Sequence, residues 1–236
     1  VVITLKNPPT EKSTVKYVTG DTMSTALKLK FYYDHVLSQT YMEGDSAFHK
    51  DITADVVKKF IDPLNIAKDA KIIDLGSGPG YFLDEMKSRD YTNVVGLGLN
   101  TEDLQICANK GHHVKHADMN FLADKDESID LLFSRHSLEH SPFPYLTMLE
   151  YNRVLRPRGV LYIEVPAPDC EGNHEENNNH YSIMGRKMWI SLLVRAGFDV
   201  QWYEYSFPLS FTDGKPTVQE NYYIFVCTRQ RSVDVK

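Results

Sequence analysis

Residues 71–86 read KIIDLGSGPGYFLDEM, and the fold turns on them. Ile72 and Ile73 form an apolar run that stops at Asp74; Gly76, Gly78 and Gly80 then alternate, and an amphipathic stretch follows from Tyr81. An apolar run, a glycine turn and an amphipathic run mark a buried strand passing through a tight turn into a helix. Such turns cradle nucleotide-like ligands, because glycine lets the backbone approach the ligand closely and tolerates positive φ. A dinucleotide turn needs G-x-G-x-x-G, its third glycine permitting close packing of helix on strand. Gly76 and Gly78 fit the first two positions, but Tyr81 stands in the third. A P-loop needs Gly-Lys-Ser/Thr, and this turn holds no lysine.

Working outward, the alternation continues. NVVGLGL (93–99) is a short apolar strand followed by a helix over about 101–110, and HHVKHAD (112–118) is a third strand. IDLLFSRH (129–136) is a fourth, followed by the helix PYLTMLEYNRVL (144–155), and GVLYIEVP (159–166) is the fifth. After a helix at 185–196 that stops at Gly197, FDVQWYEY (198–205) and NYYIFVCT (221–228) read as two last strands joined by a hairpin-like connection. Upstream, helical spacing runs from Thr22 to about Met42 and again through ITADVVKKFIDPL (52–64), closed by Pro63. Residues 1–21 read as an arm or linker, and 22–236 as a single domain: helices over 22–64, then a core over 65–236 with a polar loop at 166–182. Strand and helix alternating with short linkers require an α/β fold, a mostly parallel sheet with helices on both faces. Such sheets bind ligands at the carboxyl ends of their strands, near the point where strand order reverses.

Composition removes several classes. The 236 residues are 42% hydrophobic and 25% charged, ordinary for a soluble domain with one sizeable core. A net charge of −6 disfavours nucleic acid or an anionic membrane as the main partner. No apolar run reaches membrane-spanning length and no signal peptide opens the chain. Cys107, Cys170 and Cys227 are odd in number and far apart, as reduced thiols of a cytoplasmic compartment would be. The chain starts Val1-Val2 rather than with Met, as a domain cut from a longer protein would.

From Asp74 to Gly80 the pattern is D-x-G-x-G-x-G. It resembles the first motif of class I S-adenosylmethionine-dependent methyltransferases. That ligand has no phosphates, so the turn must pass an amino-acid tail and a ribose close to the backbone, which glycines allow. The likeness runs over about residues 55–228, with SLEH (137–140) and RVLRPRG (153–159) close to family patterns. It implies a Rossmann-like, doubly wound, seven-stranded sheet, mostly parallel with the last strand antiparallel. The implied cofactor is S-adenosyl-L-methionine, with S-adenosyl-L-homocysteine as product. The resemblance places Asp74 near the ammonium end of the methionine moiety, with Gly76, Ser77, Gly78, Gly80 and Tyr81 in the turn around it. Asp118 would cap the adenine amino group and Met119 line the ring. Two positions depart from the pattern. Arg158 stands in a surface turn where glycine is usual. Gly98 stands where most members carry an acid for the ribose hydroxyls, as in the subset with GLTLS. Leu99, Asn100, Glu102 and Asp103 are then the residues left for that task, with Asn100 and Asp103 preferred. A solvated helix start, with Thr101 or Asn100 as N-cap and the two acids complementing the dipole, accounts for them equally well.

Methyl transfer is an in-line displacement in which the enzyme positions the acceptor and excludes water. A hydroxyl acceptor also profits from a base. Residues after the fourth and fifth strands should face the acceptor, which nominates Arg135, His136, His140 and Asp169. Arg135 counts equally with the cofactor set, or simply pairs with a surface carboxylate. His140, in LEH, reads as structural or substrate-facing, and Glu139 reads as solvating the turn it precedes. The loop PAPDCEGNHEENNNHYS (166–182) is long for such a connection and rich in amides, among them Asn179, beside Tyr181. Amides both donate and accept, which suits a hydroxyl-rich acceptor. His174, Glu175, Glu176 and His180 match no defined metal spacing, so no metal is expected there. His180 is the first candidate for the base and His136 the second. Ser182 is a candidate cap for the next helix. This segment looks like that of methyltransferases found with glycan-building glycosyltransferases, which would make a sugar of a glycan the acceptor and such domains the partners. The rival readings are C- or N-methylation of a small metabolite, and a catalytically silent cofactor-binding interaction domain. Tyr81 and the missing acid after the second strand disfavour a dinucleotide oxidoreductase.

Overall fold

The computed structural model describes residues 25–170, 172–212 and 215–230; the expected arm at 1–21 lies outside them. The chain divides into two compact units, Val1–Val36 and Leu37–Lys236. The helix α1 (Thr25–Ser38) begins in the first, where Lys30 pairs with Asp34 one turn on, at 2.5 Å.

The second unit is built on a seven-stranded sheet. Its strands are β1 (Ile72–Leu75), β2 (Val94–Gly98), β3 (His113–His116), β4 (Ile129–Arg135), β5 (Leu155–Pro166), β6 (Phe198–Thr212) and β7 (Lys215–Arg229), in spatial order β3-β2-β1-β4-β5-β7-β6. Strands β1 to β5 pair in parallel, and β7 runs antiparallel to both β5 and β6. This is the mostly parallel sheet with an antiparallel last strand that the sequence implied. The chain winds outward from β1 to β3 and then returns to β4 on the other side of β1, so the order reverses between β1 and β4. In such sheets ligands bind in the crevice outside the carboxyl ends of the strands at that reversal.

Alternate residues of the central strands feed the two faces. Ile72, Leu131, Phe133, Tyr162 and Ile224 pack with Val56 and Ile61, and with Phe82 and Met86 of α3 (Tyr81–Ser88). Ile73, Leu75, Leu132, Leu161, Ile163 and Phe225 pack instead with Met148, Tyr151 and Val154 of α5 (Pro144–Val154), and with Trp189, Leu192 and Leu193 of α6 (Arg186–Arg195). On the first face Phe82, Phe133 and Tyr162 form a stack, with centroids 3.8 and 4.7 Å apart. Each such ring pair adds about 0.5–1.5 kcal/mol beyond its buried area. A further helix, α4 (Thr101–Asn109), connects β2 to β3.

Several boundaries moved. The helix expected at 52–64 starts earlier, as α2 (Ala47–Val56), because Ser46 caps it by accepting from the His49 N–H. Its end widens into a π turn at Val57–Ile61 and a 3-10 turn at Asp62–Leu64. Pro63 is the cause: it lacks an N–H and crowds the carbonyl four residues back. Ser182 does not cap α6. Its hydroxyl donates to the Ser141 carbonyl at 2.7 Å, and Gly185 stands at the N-cap instead. The strand β5 starts at Leu155, which pairs with Ile129; pairing then skips to Val160 opposite Leu131. Arg158 sits in that bulge at φ 65°, which is why glycine suits the position. The last hairpin is longer than expected. Beyond Tyr222, where β5 stops pairing, it is a two-stranded ribbon, and Pro208 and Pro216 are tolerated there because no third strand needs their missing N–H.

Candidate active site

The glycine turn is tied to β2, the Gly76 and Ser77 N–H groups both donating to the Leu97 carbonyl at 2.9 Å. Gly76, Gly78 and Gly80 all have positive φ. A Cβ on Gly76 would lie 2.7 Å from the Ser137 Cβ, and one on Gly78 would lie 2.6 Å from a Glu43 carboxylate oxygen. The turn is therefore a cradle that side chains would fill. Tyr81 holds a lid segment against it: its hydroxyl accepts the Ser46 N–H at 2.5 Å and donates to Asp45 at 2.9 Å.

Around this cradle stand carboxyl groups that want partners. Asp74, at the end of β1, is 3% exposed. Burial first, and Glu43 second, push it up to about 8, against the pull of Arg135. Asp103 is buried in the first turn of α4; its Oδ2 accepts the Glu43 N–H at 3.3 Å, and its Oδ1 has no partner among the described residues. Asp118, after β3, accepts both the Asn120 N–H and the Asn120 amide through Oδ1, at 2.8 and 2.7 Å, while its Oδ2 is unpartnered among the described residues. Burial raises both groups. Glu43 is exposed as a residue, yet its carboxylate is crowded against the turn; that crowding and then the charge of Asp103 raise it to about 6. Asn100 is the N-cap of α4, accepting from the Glu102 and Asp103 N–H groups at 3.0 and 2.9 Å. The Leu99 carbonyl accepts from His116 Nε2 at 3.0 Å, and Met119 packs against the core below.

Between the ends of β4 and β5 one carboxylate inverts the pattern. Glu164 is fully buried and saturated. Its Oε1 accepts from Arg135 Nε at 3.0 Å and His136 Nε2 at 2.8 Å, and its Oε2 accepts from the Tyr162 hydroxyl at 2.8 Å. Burial alone would raise it, but Arg135 and the His136 and Tyr162 bonds outweigh that and hold it at about 2. Burial and then Arg135 lower His136 to about 4, so its ring is neutral. With Nε2–H given to Glu164, the lone pair is on Nδ1. His136 itself sits at φ 52°, a strained position fixed by its N–H donating to the Glu164 carbonyl at 2.9 Å.

A run of rings leads from there into the long loop: His136 to Tyr222 at 4.4 Å, Tyr222 to His174 at 5.5 Å, His174 to His180 at 5.7 Å and His180 to His140 at 4.8 Å. Burial, and then His140, lower His180 to about 4. Asn179 and Tyr181 are half-buried in this loop, and the Asn179 carbonyl accepts from His140 Nδ1 at 3.0 Å. Asp169 is exposed at φ 56°, its N–H held by Glu175 at 2.6 Å, at the outer turn of the loop. Two carboxylates escaped the sequence reading, Glu139 and Glu164. Glu139 is 1% exposed rather than solvating a turn. Glu43, in the segment TYMEGD (40–45) that the sequence suggests could close over the cofactor, lies over the glycines. Arg135 pairs with buried Glu164, not with a surface acid; the lone acid in the apolar run LYIEV was the available signal.

This architecture, with its acid-lined crevice at the strand ends, is that of class I S-adenosylmethionine-dependent methyltransferases. A family model described as a methyltransferase domain matches residues 48–202, and the chain belongs to that family. Among curated relatives it is 23% identical over 180 residues to 27-O-demethylrifamycin SV methyltransferase of Amycolatopsis mediterranei, covering 69% of this chain and 66% of that one. It is 26% identical over 147 residues to 24-methylenesterol C-methyltransferase 2 of Arabidopsis thaliana, covering 58% of this chain and 40% of that one. The chain thus spans less than two thirds of the length of either. A structure of a putative sarcosine dimethylglycine methyltransferase from Galdieria sulphuraria superposes with a TM-score of 0.62 at 15% identity, covering 86% of this chain and 98% of that one. Among the described residues, no helix is long and apolar enough to cross a membrane.

The residues fit the family's cofactor. Unpartnered carboxylate oxygens on Asp103 and Asp118 match donors such as ribose hydroxyls and an adenine amino group, and Asp74 and Glu43 match an ammonium.

Proposed function

We propose that the protein transfers the methyl group of S-adenosylmethionine to a hydroxyl oxygen of a polar acceptor of the sugar kind, as found in glycans. The cofactor supplies a methyl group activated on a sulfonium. Asp74, Asp103 and Asp118 bind its hydrogen-bond donors, and the glycines leave room for its tail. The observation that carries the reading is the Glu164–His136 pair, in which a buried carboxylate orients a neutral imidazole at the strand-order reversal. The Nδ1 of His136 takes the hydroxyl proton as the oxygen attacks, and Glu164 stabilises the imidazolium that forms. His136 is preferred to His180 for this role because only His136 has a carboxylate behind its ring. The amides of Asn177 and Asn179, on the loop beyond β5, suit a hydroxyl-rich acceptor, and the glycosyltransferase partnership follows from the same reading.

Two measurements test it. Adenosylhomocysteine should raise the melting temperature, and no shift at millimolar concentration would remove the cofactor. With an acceptor found by screening polyols and glycans, His136→Ala should lower kcat by about 10²–10⁴-fold with little change in KM. A variant that turns over normally would remove His136 as base. Tight cofactor binding with no transfer to any acceptor would leave the silent binding domain.

A further inference from the structure

Glu139, His140 and His180 converge beside this site. One carboxylate oxygen of Glu139 and one ring nitrogen of each histidine all lie within 4.8 Å of one another. Glu139 and His140 stand in the short 3-10 turn after β4 (Leu138–His140), and His180 arrives from the loop after β5. Each histidine already has one nitrogen engaged by a backbone carbonyl: His140 Nδ1–H donates to Asn179 O at 3.0 Å, and His180 Nδ1–H donates to His174 O at 2.9 Å. Both rings are thereby held as the same tautomer, with the lone pair on Nε2. A carbonyl behind the ring is the support that metal-binding histidines use. The third donor makes the case independent of ring geometry. Glu139 is 1% exposed, and its Oε2 has no hydrogen-bond partner among the described residues. A buried carboxylate oxygen with nothing to accept is costly unless a cation is meant to meet it. The contact at His180 Nε2 is the Asn177 amide at 3.3 Å, long enough for an ion to displace.

We propose that Glu139, His140 and His180 bind one divalent first-row transition-metal ion, with Zn²⁺ as the expected occupant. Two imidazole nitrogens and one carboxylate suit zinc and its neighbours, whereas magnesium and calcium take oxygen ligands. Bonds of about 2.0–2.2 Å draw the three side chains together by small rotamer changes. Three protein ligands leave a position open for water or for an acceptor hydroxyl, as in sites that do chemistry. That use of the open position rests on the transfer proposed above; the binding does not. The spacing was opaque in sequence because the site joins LEH to a residue from a different loop, and the side chains of His174, Glu175 and Glu176 are not among the three ligands.

The test needs neither cofactor nor acceptor. The full chain, stripped of metal, is dialysed against Zn²⁺ or Co²⁺; bound metal is counted and the visible Co²⁺ spectrum recorded. About one equivalent and a cobalt band of nitrogen–oxygen ligation are expected. His180→Ala, His140→Ala and Glu139→Gln should each weaken binding by at least about tenfold, while His113→Ala, on exposed β3, changes nothing. Thermal melts check folding, and if the two substitutions in the buried turn unfold the protein, His180→Ala decides alone. Binding well below one equivalent at micromolar free metal, or binding unchanged in His180→Ala, overturns the proposal. Either result leaves the cofactor assignment standing, since that is read by adenosylhomocysteine.

Discussion

The crevice has two sides, and Asp74, Asp103 and Asp118 on one are treated oppositely to Glu164 on the other. On the side of β1 to β3, Asp74, Asp103 and Asp118 are buried short of partners, and burial raises all three. On the side of β4 and β5, Glu164 is as deeply buried but takes bonds from Arg135, His136 and Tyr162, and is held at about 2. Burial is common to both sides; the number of donors supplied by the protein differs. On the function proposed above, a carboxylate left short of donors on the glycine-turn side is a binding group for the cofactor. One fully supplied is scaffolding that orients its neighbours.

Removing Glu164 should therefore have the opposite effect to removing an acid of the glycine-turn side. The largest effect is expected at Glu164→Gln, which leaves Arg135 buried without its counter-charge. Breaking such a pair costs about 3–5 kcal/mol, measured by urea denaturation near neutral pH. The pH dependence fixes the sign. A carboxyl held at about 2 in the folded chain contributes stability that is complete above its ordinary value of 4.5 and is lost as pH falls toward 2. The gap between wild type and variant should close over that window. A gap that persists unchanged at pH 3 would mean that packing rather than charge carries the effect.

A smaller effect of opposite sign is expected at Asp118→Asn. The amide oxygen can keep both bonds from Asn120, and the unpartnered Oδ2 is replaced by a neutral group. The ligand-free protein should gain up to about 1 kcal/mol. On the cofactor-binding role proposed for Asp118, adenosylhomocysteine should bind about tenfold more weakly. A variant that loses stability as Glu164→Gln does would erase the distinction between the two sides.

The two sides were also unequally legible. The glycine turn and its strand are local in sequence, and the residues of KIIDLGSGPGYF appear in the structure in the expected roles of strand, turn and helix start. The alternation of apolar runs carried the sheet as well, since parallel strands buried on both faces leave continuous apolar stretches. The other side is assembled from distant pieces. His136 meets Glu164 across neighbouring strands, Glu139 meets His180 across two loops, and Glu43 comes from a segment before the core. No spacing rule links such residues. Glu164 alone gave a signal, as a charge inside LYIEV, and its meaning depended on which side chains β4 would place beside it. The hairpin also runs beyond the expected 198–205 and 221–228, and only the topology shows that Pro208 and Pro216 lie where no third strand pairs.

The smallest effect is the sharpest probe of the comparison, because it reads protons rather than stability. Asp74 is raised to about 8 in the ligand-free chain, with Glu43, Arg135 and Cys107 as the charged or titratable groups around it. Its carboxyl is thus mostly protonated at pH 7, and the free protein loses stability as pH rises from the ordinary value of 3.8 through about 8. A cation placed against it reverses the preference and favours the charged form. Binding of adenosylmethionine should then release protons, up to about one per site near pH 7. Glu43, raised to about 6, adds to the release at lower pH. Calorimetric titrations in phosphate and Tris buffers separate this release from the intrinsic heat, since the two buffers differ in ionisation enthalpy. Asp74→Asn should abolish most of the release at pH 7, whereas Glu164→Gln, which alters a group already charged, should leave it. Equal heats in both buffers between pH 5 and pH 8 would mean that the acids of the glycine-turn side are charged before the ligand arrives, and that the asymmetry of the crevice has another origin.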